Sequence, residues 1–537
     1  MDGGREGGAI PPAVRRLILR TFTRKHHLQV RADAVQFVYG TLQAHGLLDE
    51  PEAMSEAVDA LAHALVEHQG SAGAAWDGHV VTAEVLQRTY ERLVDAPADA
   101  DAAAALAGSS DAPDLTRALR VVDAFSMPKL RFSGARKVFE AADHAPSLLS
   151  SASAPSAHLG ERYELLRSIV LRNEHFLPPL ALASGAERAS FLQLTTTANL
   201  LGRAGKACLL FGRLSTRPDG AYALEDAEGA VVLDLREAVA GEGLLTEGAF
   251  VLVEGTYEAD ERLRVAAIGH PPSESREAAQ THVGHLDWLG TGALAPKEAH
   301  ALRVQERQHG DVCIAVLSEV HLDHAASLSN LRALFQGYHD ADFVPLAIVL
   351  CGNFCGTRGA DDAAHLARYE EGFAALAEIL ARFPRLLDET HLVLVPGPDD
   401  PVATPVLPRA RIPAPLVARF ERRLPRAFCA ERVHWASNPC RLVYFSQEIV
   451  VFRDDVMSKM LRSALPLSTD VQASDLPKLL VSTLLDQVHL CPLPQPVRPV
   501  LWEYAHALRL YPMPSAVRMH NDADHSWCSP TATSGTH

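Results

Sequence analysis

Two short apolar runs in the middle of the chain enclose an amphipathic segment. The runs cover 313–317 and 344–350, and the segment between them predicts a helix over 325–335 because its apolar residues recur at helical spacing. A third apolar run covers 392–395. None of the three runs alternates with polar residues, so we expect strands buried on both faces, as in a parallel sheet covered by helices. Functional residues in such sheets lie where the strands end.

Five short apolar runs separated by turn residues precede this region and predict an OB-type β-barrel over 201–285. The predicted strands are 208–214, 222–225, 231–234, 250–254 and 263–268, with a helical insertion near 236–240. The barrel has few aromatic residues and many acidic ones, whereas single-strand binding needs stacking aromatics in a basic groove. We therefore interpret the barrel as a packing module.

The N-terminal residues 1–94 show helical periodicity and predict a separate all-α domain, with helices over 11–22, 33–42 and 54–67. Residues 95–120 begin with alanine, acidic residues, glycine and proline, a composition that predicts a linker. The remaining predicted segments are a helical connecting region at 121–200, an α/β domain at 286–520 and an atypical tail at 521–537.

Composition narrows the class of protein. At 537 residues the chain is long enough for roughly three to four domains. A formal net charge of −16 argues against a protein that coats nucleic acid by itself, because phosphate binding needs clustered Lys and Arg. The sequence has no apolar run of about 18 residues and no secretion signal. Its eight cysteines form no Cys-x-x-Cys motif and predict reduced thiols inside the cell.

Polar residues follow each predicted strand of the α/β domain. They read Ser318-Glu319-Val320-His321, Gly352-Asn353-Phe354 and Gly397-Pro398-Asp399-Asp400, and a later motif reads Val488-His489-Leu490-Cys491. This order resembles the calcineurin-like metallophosphoesterases. That family carries Asp-x-His, Gly-Asp, Gly-Asn-His-(Asp/Glu) and Gly-His-x-His at these places and holds two metal ions.

The ligand set implied by this resemblance is incomplete. Asn353 replaces the carboxylate that bridges the two cations, Pro398 and Asp399 replace an Asn-His pair, and Cys491 replaces a histidine. Glu319, His321 and His489 remain. We therefore predict an inactive phosphoesterase-like domain with no catalytic residue, metal or cofactor.

Two alternatives stay open. One is a manganese-dependent phosphodiesterase or nuclease. It would use Glu319, His321, Asp323, Asp399, Asp400 and His489. The other is a single-stranded DNA-binding protein that acts through the barrel. The ligand substitutions weigh against the first alternative, and the net charge weighs against the second.

Six strings carry a closer resemblance: LCGNF (350–354), VPGPDDP (395–401), SNPCR (437–441), QEIVVFR (447–453), HLCPLP (489–494) and ALRLYP (507–512). With the order of a barrel followed by a phosphoesterase-like domain, they resemble the B subunits of eukaryotic replicative DNA polymerases, in particular the epsilon branch. The likeness covers nearly the whole chain.

The resemblance implies a non-catalytic scaffold in the nucleus. The barrel and the α/β domain would bind the C-terminal zinc region of the catalytic subunit. The N-terminal domain would contact the replicative helicase and its initiation factors. The protein would contact DNA mainly indirectly, through the complex, and would have no membrane partner. This chain departs from the family after Ala516-Val517, which predicts a missing last strand and an uncovered sheet edge.

Overall fold

The computed structural model describes residues 10–25, 28–46, 48, parts of 54–65, 80–95, 118–142, 144–178, 191–294, 296–356, 363–401, 404–465, 475–520 and 527–528. The chain divides into two units, Met1–Asp111 and Ala112–His537. Within the described residues, no helix is long and apolar enough to cross a membrane.

The first unit contains helices and one pair of short strands. The elements are α1 Pro12–Leu19, continued by a π-helical turn Arg20–Lys25, then β1 Gln29–Val30, α2 Ala32–Ala44, β2 Val80–Val81 and α3 Ala83–Asp95. Its core includes Ile18, Phe22, Val35, Val38, Leu42 and Leu86. Of the third predicted helix, 54–67, the structure describes residues 54, 57–59, 61, 62 and 65, which include the buried Val58, Leu61 and Leu65.

The prediction that this unit is all-α was wrong in one respect, because β1 and β2 pair in parallel. The amide of Arg31 also donates to the carbonyl of Val81 (3.1 Å). The segments before α2 and α3 thus form backbone hydrogen bonds with each other.

Digestion with a small amount of protease is expected to cut first within 95–113 and to leave two folded pieces. That stretch has no large apolar residue except Leu106, so its sequence offers little to anchor it against a core. Mass spectrometry of the first fragments locates the cut. First cuts at other segments, with 95–113 left uncut, would contradict this prediction.

The connecting region 121–200 was predicted as helical, but the structure places strands there as well. It contains β3 Leu119–Asp123, β4 Leu130–Ser133, β5 Val138–Ala141 and a long helix α4 Ala154–Arg172. Strand β3 lies in a sheet of the α/β domain, where it pairs antiparallel with 440–444. Five residues, of which only three are apolar, give a weak signal by themselves, and the pairing partner lies far along the chain.

The barrel is confirmed as a closed sheet of five main strands. Its strands are β6 Leu194–Thr195, β7 Ala207–Thr216, β8 Tyr222–Glu225, β9 Ala230–Asp234, β10 Val239–Ala240, β11 Phe250–Tyr257 and β12 Arg262–Gly269. Pairing of β12 with β9 closes the sheet. The predicted helical insertion near 236–240 was wrong, because β10 pairs in parallel with Ala267 and Ile268 of β12.

The α/β domain follows the barrel. Its elements are α5 Arg276–Val283, α6 Pro296–Gln308, β13 Ile314–Leu317, α7 Ala325–Asp340, β14 Ala347–Cys351, α8 Ala363–Leu380, α9 Pro384–Glu389, β15 His391–Val395, α10 Ala414–Glu421, α11 Arg426–Glu431, β16 Val433–Trp435, β17 Cys440–Tyr444, β18 Gln447–Arg453, α12 Val456–Ser463, α13 Leu476–Asp486, a 3-10 turn Trp502–Leu508, β19 Ala516–His520 and β20 Trp527–Cys528. Strand β14 begins at Ala347, three residues after the start of the apolar run 344–350, because Pro345 has no N–H group to donate to the sheet.

Two sheets form this domain. One is parallel, in the order β13-β14-β15-β16, and the other has the order β20-β19-β18-β17-β3. Side chains from both sheets, including Val349, Val393, Leu442 and Val451, share one core. On the other face of the parallel sheet lie the aromatic residues of α7, α8 and α10: Phe335, Phe373 and Phe420. The domain is thus layered, with its sheets in the middle.

The prediction that a strand is missing after Val517 and leaves the sheet edge uncovered was wrong for the described residues. Strand β19 pairs in parallel with β18 and buries Val517 and Met519, and β20 pairs with β19 on its other side. Of the described side chains in this short strand only Val517 and Met519 are buried, which is too few apolar positions for the sequence to indicate it.

Candidate functional site

The carboxyl ends of β13, β14 and β15 meet at one edge of the parallel sheet, as the sequence predicted. There Asn353 donates through Nδ2 to Asp399 Oδ2 (3.2 Å) and to Glu319 Oε2 (3.5 Å). The backbone amide of Asp399 donates in turn to Asn353 Oδ1 (2.8 Å), which fixes the orientation of the side-chain amide. Asn353 therefore presents N–H groups to two carboxylates, where the phosphoesterase resemblance places an anionic bridge.

A buried arginine from β18 completes this cluster. The side chain of Arg453 has no exposed surface, and it forms an ion pair with Glu319 Oε1. Its Nε also donates to the carbonyl oxygen of Gly352 (2.9 Å). Charge-assisted hydrogen bonds of this kind are among the stronger polar contacts in proteins. The guanidinium supplies the positive charge that Glu319 needs at the strand ends.

Glu319 itself is held in an unusual backbone conformation. Its φ of 55° lies in the left-handed region, which costs a non-glycine residue of order 1–3 kcal/mol. Contacts on both carboxylate oxygens accompany this conformation, since Oε2 also lies 3.2 Å from His321 Nε2. Glu319 is thus oriented toward Arg453, His321 and Asn353.

Two further aspartates at this edge act as backbone anchors. Asp400 is buried and accepts from the amides of Phe354 and Gly397, each at 2.7 Å. Burial raises the pKa of Asp400 to about 6 in spite of these two donors. Burial also opposes the ionisation of Asp323, but hydrogen bonds from Gly356 and Cys355 outweigh it and lower the pKa of Asp323.

A second buried ionic group lies next to the first. Asp454, which follows β18, has no exposed side-chain surface and pairs with three cations: Arg409 (3.3 Å), Lys459 (3.2 Å) and Arg498. Arg409 also donates to the carbonyl oxygen of Arg453 (3.1 Å), which joins the two groups. Buried charges are tolerated only when they are paired in this way.

His489 and Cys491 belong to a different set of contacts. His489 Nδ1 accepts from the amide of Cys491 (3.0 Å), and its ring lies 5.8 Å from the ring of His158 in α4. Burial, with Arg162 and His158 nearby, lowers the pKa of His489 well below its ordinary value. Burial raises the pKa of the Cys491 thiol to about 12. Both side chains are neutral at neutral pH and are used in packing.

These residues do not fit the binuclear metal site that the phosphoesterase resemblance implies. The Arg453 guanidinium neutralises the surviving Glu319 carboxylate, and an amide N–H group lies between Glu319 and Asp399 where a bridging anion would be needed, so the cluster lacks the negative charge that two cations require. Over the part of the chain that the structure describes, no group of three or more His, Cys, Asp and Glu side chains is placed to hold a metal ion.

Sequence reasoning missed Arg453 and Asp454 as members of this cluster. The sequence does contain a signal for them: Arg453 and Asp454 have opposite charges and directly follow the strand QEIVVF. Charged residues at the end of a buried strand are shielded from water and need partners within the protein.

Polar side chains, Gln487 among them, join the barrel to the α/β domain, and an aromatic stack joins it to α4. Gln487, after α13, accepts from the amide of Phe250 (2.9 Å) and donates to the Phe250 carbonyl (2.7 Å) and to His270 Nδ1 (3.0 Å). Burial lowers the pKa of His270 to about 4, so its ring is neutral and can accept. Tyr163 of α4 stacks on Phe211 at 5.5 Å. Barrel and α/β domain therefore form one continuous packed module.

Comparisons with known proteins name the class to which this combination belongs. The family model of the DNA polymerase alpha/epsilon B subunits matches 314–528, and the model "DNA polymerase epsilon subunit 2-like, OB-fold domain" matches 152–272. The fold is thus that of the accessory B subunits of replicative DNA polymerases.

Curated relatives narrow the family. The chain is 37% identical to the DNA polymerase epsilon B subunit of Schizosaccharomyces pombe, over 74% of this chain and 68% of the relative. It is 32% identical to the B subunit of the same polymerase in Arabidopsis thaliana, over 82% and 84% of the two chains. It is 31% identical to DNA polymerase epsilon subunit 2 of Bos taurus, over 91% and 87%. The chain belongs to the family of DNA polymerase epsilon B subunits, whose members are accessory subunits in DNA replication.

Proposed function

We propose that this protein is a non-catalytic scaffold that binds the C-terminal zinc region of the catalytic subunit of DNA polymerase epsilon. The barrel and the α/β domain provide the binding module, and the N-terminal unit links the polymerase to the replicative helicase in the nucleus. Membership of the family supports the accessory role. The packed junction at Gln487 supports a rigid module that can hold a partner across both domains.

The observation that carries the non-catalytic assignment is the ion pair of Arg453 with Glu319. An active binuclear site needs two cations about 3.5–4 Å apart between carboxylates and imidazoles. Here the fully buried guanidinium neutralises the carboxylate, and Asn353 cannot supply a bridging negative charge. We infer that Glu319, His321, Asn353, Pro398, Asp399, His489 and Cys491 occupy former metal-site positions without ligand function.

Purified protein is expected to contain no stoichiometric transition metal and to leave bis-p-nitrophenyl phosphate intact with added manganese. The expected reason is electrostatic, since a divalent ion would have to displace Arg453 from Glu319. Elemental analysis and absorbance of released nitrophenol measure the two results, with an active metallophosphoesterase as the positive control.

Metal at about two equivalents, with turnover abolished by Glu319→Ala, would reject the non-catalytic assignment in favour of a phosphodiesterase. The same assay on Glu140→Ala, which removes a carboxylate from an exposed ion pair with Arg136, controls for non-specific effects of charge.

A further inference from the structure

The segment 409–432 is basic in an otherwise acidic chain. It contains arginine at seven positions and glutamate at two, whereas the whole protein has a formal net charge of −16. Helix α10 packs its apolar residues Leu416, Val417 and Phe420 into the core. Its opposite side faces solvent, and the turn into α11 extends this face. We name Arg419, Arg422, Arg423 and Arg426 the basic strip; all four are exposed.

Two members of the basic strip already bind carboxylates. Arg419 Nε lies 3.2 Å from Glu370 Oε2, and Arg423 Nη1 lies 2.8 Å from Glu378 Oε1; both glutamates are on the neighbouring helix α8. Among the described residues Arg422 and Arg426 have no carboxylate partner, and Arg422 Nε donates only to the carbonyl of Ala418 (3.1 Å). Guanidinium groups with free forked donors are suited to bidentate carboxylate binding.

Helix stability explains only part of the strip. Cations are favourable at the C-terminal end of a helix, which accounts for Arg419 and Arg422 near the end of α10. Arg426 is the first residue of α11, where a cation is unfavourable, and the first turn of α11 contains no acidic residue to offset it. The helix dipole therefore does not account for Arg426.

The surroundings decide which anion fits. Glu370 and Glu378 of α8 border the strip on one side, and the chain as a whole is strongly negative, which disfavours a long polyanion such as duplex DNA that extends beyond the strip. A short acidic segment needs only the local positive charge and can continue the row of carboxylate pairs that α8 has begun. We propose that the basic strip is a docking surface for an acidic segment of a partner protein.

The test uses the full-length protein and a fluorescein-labelled peptide of alternating Glu and Ala, with fluorescence anisotropy at about 0.1 M salt. The double variant Arg422→Glu/Arg426→Glu is expected to bind the peptide at least about tenfold more weakly. The control Arg203→Glu/Arg217→Glu makes the same charge change at exposed positions of the barrel and is expected to bind within about twofold of the native protein. A peptide with Gln in place of Glu is expected not to bind.

Three outcomes would overturn the proposal: no peptide binding by the native protein, equal loss in both double variants, or tighter binding of a labelled DNA duplex than of the peptide through the same arginines. The last outcome would assign the strip to phosphate contacts. Thermal unfolding of both variants checks the fold, and we expect little change because the substituted side chains are exposed.

Discussion

Replacement of Arg453 by methionine is expected to lower the free energy of unfolding by about 3 kcal/mol. The substitution keeps most of the side-chain volume. It removes the positive charge that pairs with Glu319 and the hydrogen bond to the Gly352 carbonyl. Breaking a buried pair generally costs about 3–5 kcal/mol, and Glu319 is 32% exposed, which places the expected loss at the lower end of that range. Denaturant unfolding followed by fluorescence measures the change.

A second substitution separates the charge from the packing. In the double variant Arg453→Met/Glu319→Leu no unpaired carboxylate remains, so part of the lost stability should return. Arg136→Met is the matched control at an exposed ion pair and should change stability by no more than about 0.5 kcal/mol. An Arg453→Met protein as stable as the native one would show that the ion pair does not hold the strand ends together.

Replacement of Gln487 by methionine is expected to cost about 2–4 kcal/mol and to loosen the barrel from the α/β domain. The side chain of Gln487 satisfies both backbone groups of Phe250 at the start of β11, beyond the end of the pairing of β11 with β12. Each buried backbone group left without a partner costs about 1–3 kcal/mol. Methionine conserves the volume, so the loss reports on the hydrogen bonds.

Hydrogen exchange localises that effect. Amides of β11 and α13 should exchange faster in Gln487→Met, while the parallel sheet keeps its protection. Gln336→Met, on the exposed face of α7, is the matched control and should leave exchange unchanged. Uniformly faster exchange in both domains would mean that Gln487 supports the whole unit and does not specifically join its parts.

Much of the fold could be predicted from local patterns. The apolar runs of β14, β15 and the barrel strands are short and bounded by turn residues, which indicates strands. The order of the parallel strands then places Glu319, Asn353 and Asp399 together. The partner of Glu319 could not be predicted in the same way. Arg453 lies 134 residues further along the chain and reaches the site only through the packing of the second sheet on the first.

The errors have a common physical cause. Strands β3, β10 and β19 are short, and each is specified by a partner strand rather than by its own sequence. The contact of His489 with His158 of α4 could not be predicted either, because that helix is far away in sequence.

The most direct test of the proposed scaffold role is co-elution of the full-length protein with the C-terminal region of a DNA polymerase epsilon catalytic subunit from the same source. We expect one complex on gel filtration at about 1 M salt, because apolar burial is not screened as surface charge pairs are. The free protein is expected to bind DNA no more tightly than ~10⁻⁴–10⁻⁶ M at physiological salt. Separate elution of the two chains, together with tight DNA binding by the free protein, would contradict the scaffold role and favour a single-stranded DNA-binding protein.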